Sequence, residues 1–412
     1  MNRKPGVQWP NLPFEEYQRR IERAREVLAE HRLDALILFA PTNWWYYGGF
    51  TDAAQMHNAI WRVALIVSQD HDPVAVAEST FFWVFAHTSW VEDVRFHGAA
   101  PHPAVKAMRA GDDFYRVLFE AIRSLGLAAS TLGLETGPEI DTYLSIDEHQ
   151  RIRDGLPEAR IVSADAAIFA QRMIKTPYEQ EIIREGARRA CLAVRAAFDA
   201  IRPGITEREM HRAFWRAAVE LDLVESPYQG NWLCYSTNAR ETAFGQRWIT
   251  GPVDRVIRYG DWGNSDCGPS YKMYQYDFQR VFHVGEPPDD VRRWYGIARD
   301  ALQETIEAVR PGVRICDLFQ HSLRAVTRRG AAEHPISFIG HGEGLANHEP
   351  PWLVAGNPAV LQPNMVLAIE VGAYDAGGEH FGSMPEDLVL VTEGGCENLT
   401  APHMSTELYV VR

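Results

Sequence analysis

The sequence predicts an α+β protein of two domains, a smaller N-terminal α/β domain followed by a larger C-terminal domain built from repeated halves. Three observations carry that expectation. Helix-period and strand-like segments alternate up to residue 168, the segment "KTPYEQE" holds a full set of helix-start signals, and a helix-Pro-Gly-helix pattern then occurs twice. A length of 412 residues also exceeds one ordinary domain.

From Phe14 to about His31, Ile21, Ala24, Val27 and Leu28 recur at the spacing of one helix face. The apolar run Ala35–Ala40 reads as a buried strand, and residues 61–67, 73–78 and 130–136 read as further strands, with a helix over 114–127 between them. No GxGxxG follows any of these strands, so a dinucleotide site is not indicated. At the boundary, Thr176 suits an N-cap, Pro177 the first helical position and Glu179 the first turn. Ile182, Ile183, Ala187, Ala190, Val194 and Phe198 give the following helix its apolar stripe. The expected layout is an extension over 1–13, an α/β domain over 14–168 and a catalytic domain over 169–412. Within the last, Arg202-Pro203-Gly204 is answered by Arg310-Pro311-Gly312, each ending one helix and starting another. Duplication about a pseudo-twofold axis explains the echo; coincidence is the competing reading, because helix-Pro-Gly-helix is common.

Bulk composition narrows the class. Hydrophobic content of 46% with 23% charged residues is globular. A formal net charge of −14 argues against nucleic acid, whose phosphates need a basic footprint. Five cysteines without a CxxC spacing give neither a disulfide framework nor a zinc finger, and suit a reducing cytoplasm. No apolar segment resembles a signal peptide or reaches the ~20 residues of a membrane span, so a soluble intracellular protein is expected.

The chemistry lies in the C-terminal half. In "SDCGPSYKMYQYDFQR" two aspartates, Asp266 and Asp277, flank a Gly-Pro turn signal. Their odd separation across an antiparallel hairpin allows both side chains onto one face, where two carboxylates repel unless a cation joins them. Solvated turn aspartates are the bland alternative. Further on, "GHGEGLANHEPP" sets His341 among glycines that let the backbone pass close to bulky neighbours, with His348 and Glu349 a short loop later. Glu370 is the one charged residue inside the apolar run "MVLAIEVGAY", and Glu386 with Asp387 opens "LVLV". A buried carboxylate is costly unless it is paired or coordinated. Asp266, Asp277, His341, Glu370 and Glu386 together suit a divalent pair such as manganese, iron, cobalt or zinc, with carboxylates bridging the two ions.

The order Asp-x10-Asp, Gly-His-Gly-x-Gly, Ile-Glu and Glu-Asp-x-Val-Leu-Val resembles the pita-bread metallopeptidases, which include methionine aminopeptidase, aminopeptidase P, prolidase and creatinase. "YDFQR", "LAIEVGAY", "EDLVLVTEGGCENLT" and the junction "RMIKTPYEQEIIREGARRA" carry the likeness, which runs from Phe14 to the C-terminus. The resemblance implies a duplicated pita-bread catalytic domain behind a creatinase-like N-terminal domain, two divalent ions with manganese the first choice, and a homodimer whose N-terminal domain lies near the partner's active site. It implies a metal-activated water attacking an amide or related C–N bond of a small substrate, with an Xaa-Pro dipeptide among the candidates. Glu370 then becomes the proton acceptor, and His348 the histidine that binds the substrate carbonyl or its oxyanion. Dimethylsulfoniopropionate-type lyases, ectoine- or creatine-type hydrolases and non-catalytic binding modules share the scaffold and stand as alternatives. The full set of five ligands disfavours the metal-free and the non-catalytic ones, and retention of His348 leans toward hydrolysis.

Three features depart from the peptidase pattern, and an aromatic stretch stands apart from them. No histidine occurs between His211 and His283, where peptidases carry one; the region reads "STNARETAFGQRWITGP", with Gln246 or Arg247 as replacements. Met384-Pro385 stands where prolidases often carry an arginine, and "DWGNSD" is more polar than the aliphatic run before the first aspartate in relatives. The aromatic stretch "PTNWWYYGG" offers Trp44, Trp45 and Tyr47 either to a small-molecule pocket or to the core. The missing histidine and arginine lead to an expectation of weak Xaa-Pro cleavage.

Overall fold

The structure, a computed structural model of the chain, describes residues 12–50, 62–98, 113–140, 142, 144–224, 234–235, 254–331, 337–373 and 384–412. The chain folds as two compact units, Met1–Arg172 and Met173–Arg412. Among the described residues no helix is long and apolar enough to cross a membrane.

The first unit alternates as its sequence periods require. It runs α1 (Phe14–Glu30), β1 (Ala35–Leu38), α2 (Pro41–Gly48), β2 (Ala64–Ser68), β3 (Val74–Glu78), α3 (Phe82–Thr88), β4 (Asp93–His97), α4 (Phe114–Ser124), β5 (Thr131–Leu134), α5 (Ile146–Gly155), β6 (Arg160–Ser163) and α6 (Asp165–Arg172). The strands form one mixed sheet in the order β4-β3-β2-β1-β5-β6, antiparallel at β1–β2 and parallel at β1–β5. α1 buries its stripe of Ile21, Ala24, Val27 and Leu28. Strands β4 and β6 carry no uninterrupted apolar run and leave no local signal in the sequence. Trp44, Trp45 and Tyr47 are buried: the Trp44 indole donates to the Leu38 carbonyl at 2.9 Å, and the Tyr47 hydroxyl to Gln171 Oε1 at 3.2 Å. They pack the core, and the alternative of a substrate pocket for them falls.

Glu135, just past β5, is wholly buried and accepts hydrogen bonds from Phe39 N–H, Ala40 N–H and the Asn43 amide at the start of α2. Burial nevertheless pushes its carboxyl up to about 7, against those three donors. A carboxyl whose pKa is raised by folding favours the native state most below its unfolded value, and that contribution is lost as pH climbs toward 7. Glu135→Gln turns an amide N–H toward existing donors, so it destabilises throughout. Its penalty is expected to be largest near pH 4 and to shrink by about 3 kcal/mol by pH 8. Thermal or urea unfolding of wild type and variant at both pH values checks this; a penalty independent of pH contradicts it.

The second unit contains two similar halves. The first holds α7 (Pro177–Asp199), α8 (Glu207–Glu220), β7 (Cys234–Tyr235), β8 (Trp262–Cys267), the small hairpin β9 (Ser270–Tyr271) and β10 (Tyr274–Gln275), and β11 (Phe278–Val284). The second holds α9 (Asp289–Glu307), α10 (Ile315–Thr327), β12 (Gly340–Gly342), β13 (Val366–Glu370), β14 (Glu386–Val391) and β15 (Cys396–Asn398), and β16 (Tyr409–Val411) returns to pair with β11. Two four-stranded sheets result, β16-β11-β8-β7 and β12-β13-β14-β15. Thr176 and Thr206 start α7 and α8 with reciprocal capping boxes to Glu179 and Glu209.

Local hydrogen bonding shows that the Arg-Pro-Gly echo is more than coincidence. Gly204 N–H donates to Ile257 O at 2.8 Å and Gly312 N–H to Leu361 O at 2.9 Å. Ile257 N–H returns to Ile205 O at 2.7 Å, and Leu361 N–H to Val313 O at 2.9 Å. Both glycines are left-handed, with φ of 100° and 87°, and an added Cβ at either meets nothing within 4 Å. Their conformation, not lack of space, asks for glycine. In the second half Ala298, Leu302, Leu318 and Val326 of the helices pack on Leu367, Ile369, Val389 and Val391, leaving the other sheet face for polar side chains.

Candidate metal centre

Strand register builds the centre. β8 and β11 are antiparallel with Asp266 opposite Gln279, so Asp277, two positions earlier, is diagonal to Asp266 and on the same face. In the second sheet His341 of β12 lies opposite Ala368 of β13, two positions before Glu370, and therefore shares its face. Glu370 is directly opposite Glu386 of β14. Three overlapping groups have potential ligand atoms within 4.8 Å of one another: Asp277, His341 and His348; His341, Glu370 and Glu386; and Asp266, Asp277 and Glu386. All five side chains expected as ligands, and His348 with them, thus converge.

Asp277, His341 and Glu386 are buried, Asp266 and Glu370 partly so, and the His348 side chain is 43% exposed. The cluster accordingly has a buried floor and a mouth at His348. His348 Nε2 lies 3.5 Å from Asp277 Oδ2, and its ring stands edge-on to that of His341 with centroids 4.1 Å apart. The "DWGNSD" strand is polar because it serves this interior: Asn264 Nδ2 donates to Gln279 Oε1 at 2.8 Å, and the Gln279 amide in turn donates to the Met384 carbonyl. Met384 itself is buried. The segment with Gln246 and Arg247 lies outside the described residues.

Without a cation the arrangement is frustrated. Burial first, and then neighbouring carboxylates, push Asp266 and Glu386 well above the usual range and Glu370 up to about 8. Burial, with His348 beside it, lowers His341 to about 4, so its imidazole is neutral. For His348, burial pulls down but the Asp277 hydrogen bond and the charges of Asp277 and Glu370 outweigh it, and the net shift is upward. His341 Nδ1 lies 3.0 Å from the Gly342 carbonyl, which can only accept, so Nδ1 carries the proton. Its Nε2 lone pair is then buried, has no hydrogen-bond partner and faces Asp277 Oδ2 and Glu386 Oε1, each at 3.8 Å. Asp277 Oδ1 is likewise buried without a partner. Facing lone pairs and directly opposed glutamates are repulsive until cations stand among them. Carboxylate oxygens with a single imidazole form a hard-to-borderline donor set, which fits divalent ions.

Several supports have no signature in the sequence. Asn347 Nδ2 donates to Asp277 Oδ2 at 2.6 Å. Arg280, buried, donates to Asp387 Oδ1 and the Glu386 carbonyl, both at 2.6 Å, and to the Met404 carbonyl. Asp387 also accepts from Thr400 and Asn398, at 2.7 and 3.0 Å. Lys175 Nζ pairs with Glu349 Oε1 at 3.1 Å in the interior. The sequence signal available is charge inside apolar context, but nothing in spacing joins residues so far apart along the chain.

Residues 181–393 match metallopeptidase family M24, and residues 20–174 match the creatinase/prolidase N-terminal domain. An Xaa-Pro dipeptidase of Lactobacillus helveticus is 29% identical over 271 residues, 65% of this chain and 70% of that protein. An Xaa-Pro dipeptidase of Pyrococcus furiosus is 26% identical over 392 residues, 92% of this chain and 97% of that protein. The crystal structure of dipeptidase PepE from Mycobacterium ulcerans aligns with a TM-score of 0.79 at 23% identity, covering 97% of this chain and 99% of that one. Fold, duplicated sheets and clustered acids thus define a metal-dependent hydrolase with the pita-bread fold. The chain belongs to metallopeptidase family M24, behind a creatinase/prolidase-type N-terminal domain.

Proposed function

We propose that the protein is a two-metal dipeptidase acting on Xaa-Pro dipeptides. The observation that carries this reading is the convergence of Asp266, Asp277, His341, Glu370 and Glu386 around a bare imidazole lone pair and a directly opposed glutamate pair. The names of relatives that match most of the chain supply the substrate class and outweigh the expectation of weak Xaa-Pro cleavage drawn from the missing histidine and arginine. These five side chains would hold the ions, manganese first. When bound, a divalent pair activates water at neutral pH and polarises the scissile carbonyl. Asp277, His341 and Glu386 form the buried floor that keeps bulk water from the ions. Glu370, at the edge of the cluster, accepts the proton released by the attacking water and passes it to the leaving amine. His348, at the mouth, donates from Nε2 to the carbonyl oxygen as it gains negative charge. A homodimer and a cytoplasmic location belong to the same reading.

A panel of Xaa-Pro dipeptides, matched dipeptides without proline, ectoine-type amides and sulfonium osmolytes, assayed with manganese-reconstituted enzyme, tests the proposal. kcat/KM is expected to be highest for Xaa-Pro, to vanish on chelation and to return with manganese. Turnover of only the osmolytes, or peptide cleavage that survives exhaustive chelation, overturns it.

A further inference from the structure

Behind His341 lies an acid that the ligand set does not use. Glu343, on the loop leaving β12, is fully buried, and neither carboxylate oxygen makes a hydrogen bond. Its backbone N–H is tied to the Val366 carbonyl at 3.1 Å, so the residue is fixed at the sheet. Glu343 Oε2 sits 3.8 Å from His341 Nδ1, on the side of the ring away from the bare Nε2. The same carboxylate faces the backbone N–H of Asp277 from outside hydrogen-bonding geometry. It therefore stands behind two of the clustered residues at once.

Among the described residues, the buried cation that acts on Glu343 is already paired. Lys175 pairs with Glu349, and the absence of a side chain at Gly344 makes room for that pair, since a Cβ there would lie 2.3 Å from Glu349 Oε1 and 3.2 Å from Lys175 Nζ. Glu343 is thus an additional acid, held in the interior without hydrogen bonds, a costly arrangement that an apolar side chain would avoid. Cations at the cluster reverse that balance. A carboxylate near the protonated nitrogen of a metal-binding imidazole raises the basicity of the other nitrogen, and here the Gly342 carbonyl already fixes the tautomer.

We propose that Glu343 is a positioning residue for the metal centre, its carboxylate strengthening His341 as a ligand and adding charge that favours retention of divalent ions. The proposal rests on the two-metal reading. It concerns affinity and ligand geometry, and Glu343 touches neither substrate nor the reacting atoms.

The test uses the full chain, stripped of metal, as wild type, Glu343→Gln and Glu343→Leu. Manganese affinity is measured by competition with a chelating dye, apo-protein Tm by calorimetry, and ligand geometry by the visible spectrum of the cobalt-substituted protein. Both variants are expected to bind manganese about 10–100-fold more weakly, with altered cobalt bands. Apo Tm is expected to be unchanged in Glu343→Gln and higher in Glu343→Leu. That opposition of sign, a more stable apo-protein with weaker metal binding, separates positioning from plain packing. Affinities within twofold of a metal-binding wild type overturn the inference alone, as does an apo Tm that falls in both variants. Failure of the wild type itself to bind manganese overturns the two-metal reading beneath it.

Discussion

Replacement of Asp277 by asparagine is expected to empty the metal centre while leaving the fold intact. Asp277 belongs to two of the three overlapping ligand groups, and its Oδ1 is buried without a hydrogen-bond partner. Asparagine keeps the shape and one acceptor, so the bond from Asn347 survives, but the charge that offsets a cation is gone. Loss of metal-borne charge stabilisation, several kcal/mol, corresponds to roughly 10³-fold or more in kcat/KM. Removing one of several crowded negative charges leaves the apo-protein no less stable than wild type. Elemental analysis after dialysis into manganese, alongside apo Tm and turnover, reads all three quantities. Unchanged metal content in Asp277→Asn contradicts the ligand assignment.

Arg280→Met is expected to act through stability first. The guanidinium is buried and joins β11 to β14 through Asp387 and the Glu386 carbonyl. Removing it strands the Asp387 carboxylate in the interior, where a broken buried pair typically costs about 3–5 kcal/mol. At about 2–4 °C per kcal/mol for a unit of this size, Tm is expected to fall by roughly 10 °C. Glu386 loses the bond that fixes its backbone, so manganese binding weakens as well. Exchanging both partners for apolar residues, Arg280→Met with Asp387→Leu, removes the stranded charge and is expected to recover most of the lost Tm. Additive losses in the double variant contradict a coupled buried pair.

The contrast between Asp277 and Arg280 shows what the sequence discloses. Glu370 and Glu386 stand out because each interrupts or opens an apolar strand, and Asp266 with Asp277 because their odd separation suits one face of a hairpin. Those are local patterns, and the structure brings the residues together through strand register. The capped start of α7 at Thr176 and the repeated Arg-Pro-Gly turn are legible for the same reason. Arg280 with Asp387, and Lys175 with Glu349, are not, because each pairing joins segments separated by more than a hundred residues. Pairing of β16 with β11 is another long-range event without a local signature. Trp44, Trp45 and Tyr47 illustrate the converse: an aromatic run is chemically suggestive, but only burial assigns it to the core.

Whether cations join these acids can be seen directly. Crystals of the full chain grown or soaked with manganese and measured at a wavelength that excites it should show two anomalous peaks about 3.5–4 Å apart, enclosed by Asp266, Asp277, His341, Glu370 and Glu386. Anomalous signal confined to surface carboxylates, or none at all in ample manganese, would mean that this cluster is not a metal centre.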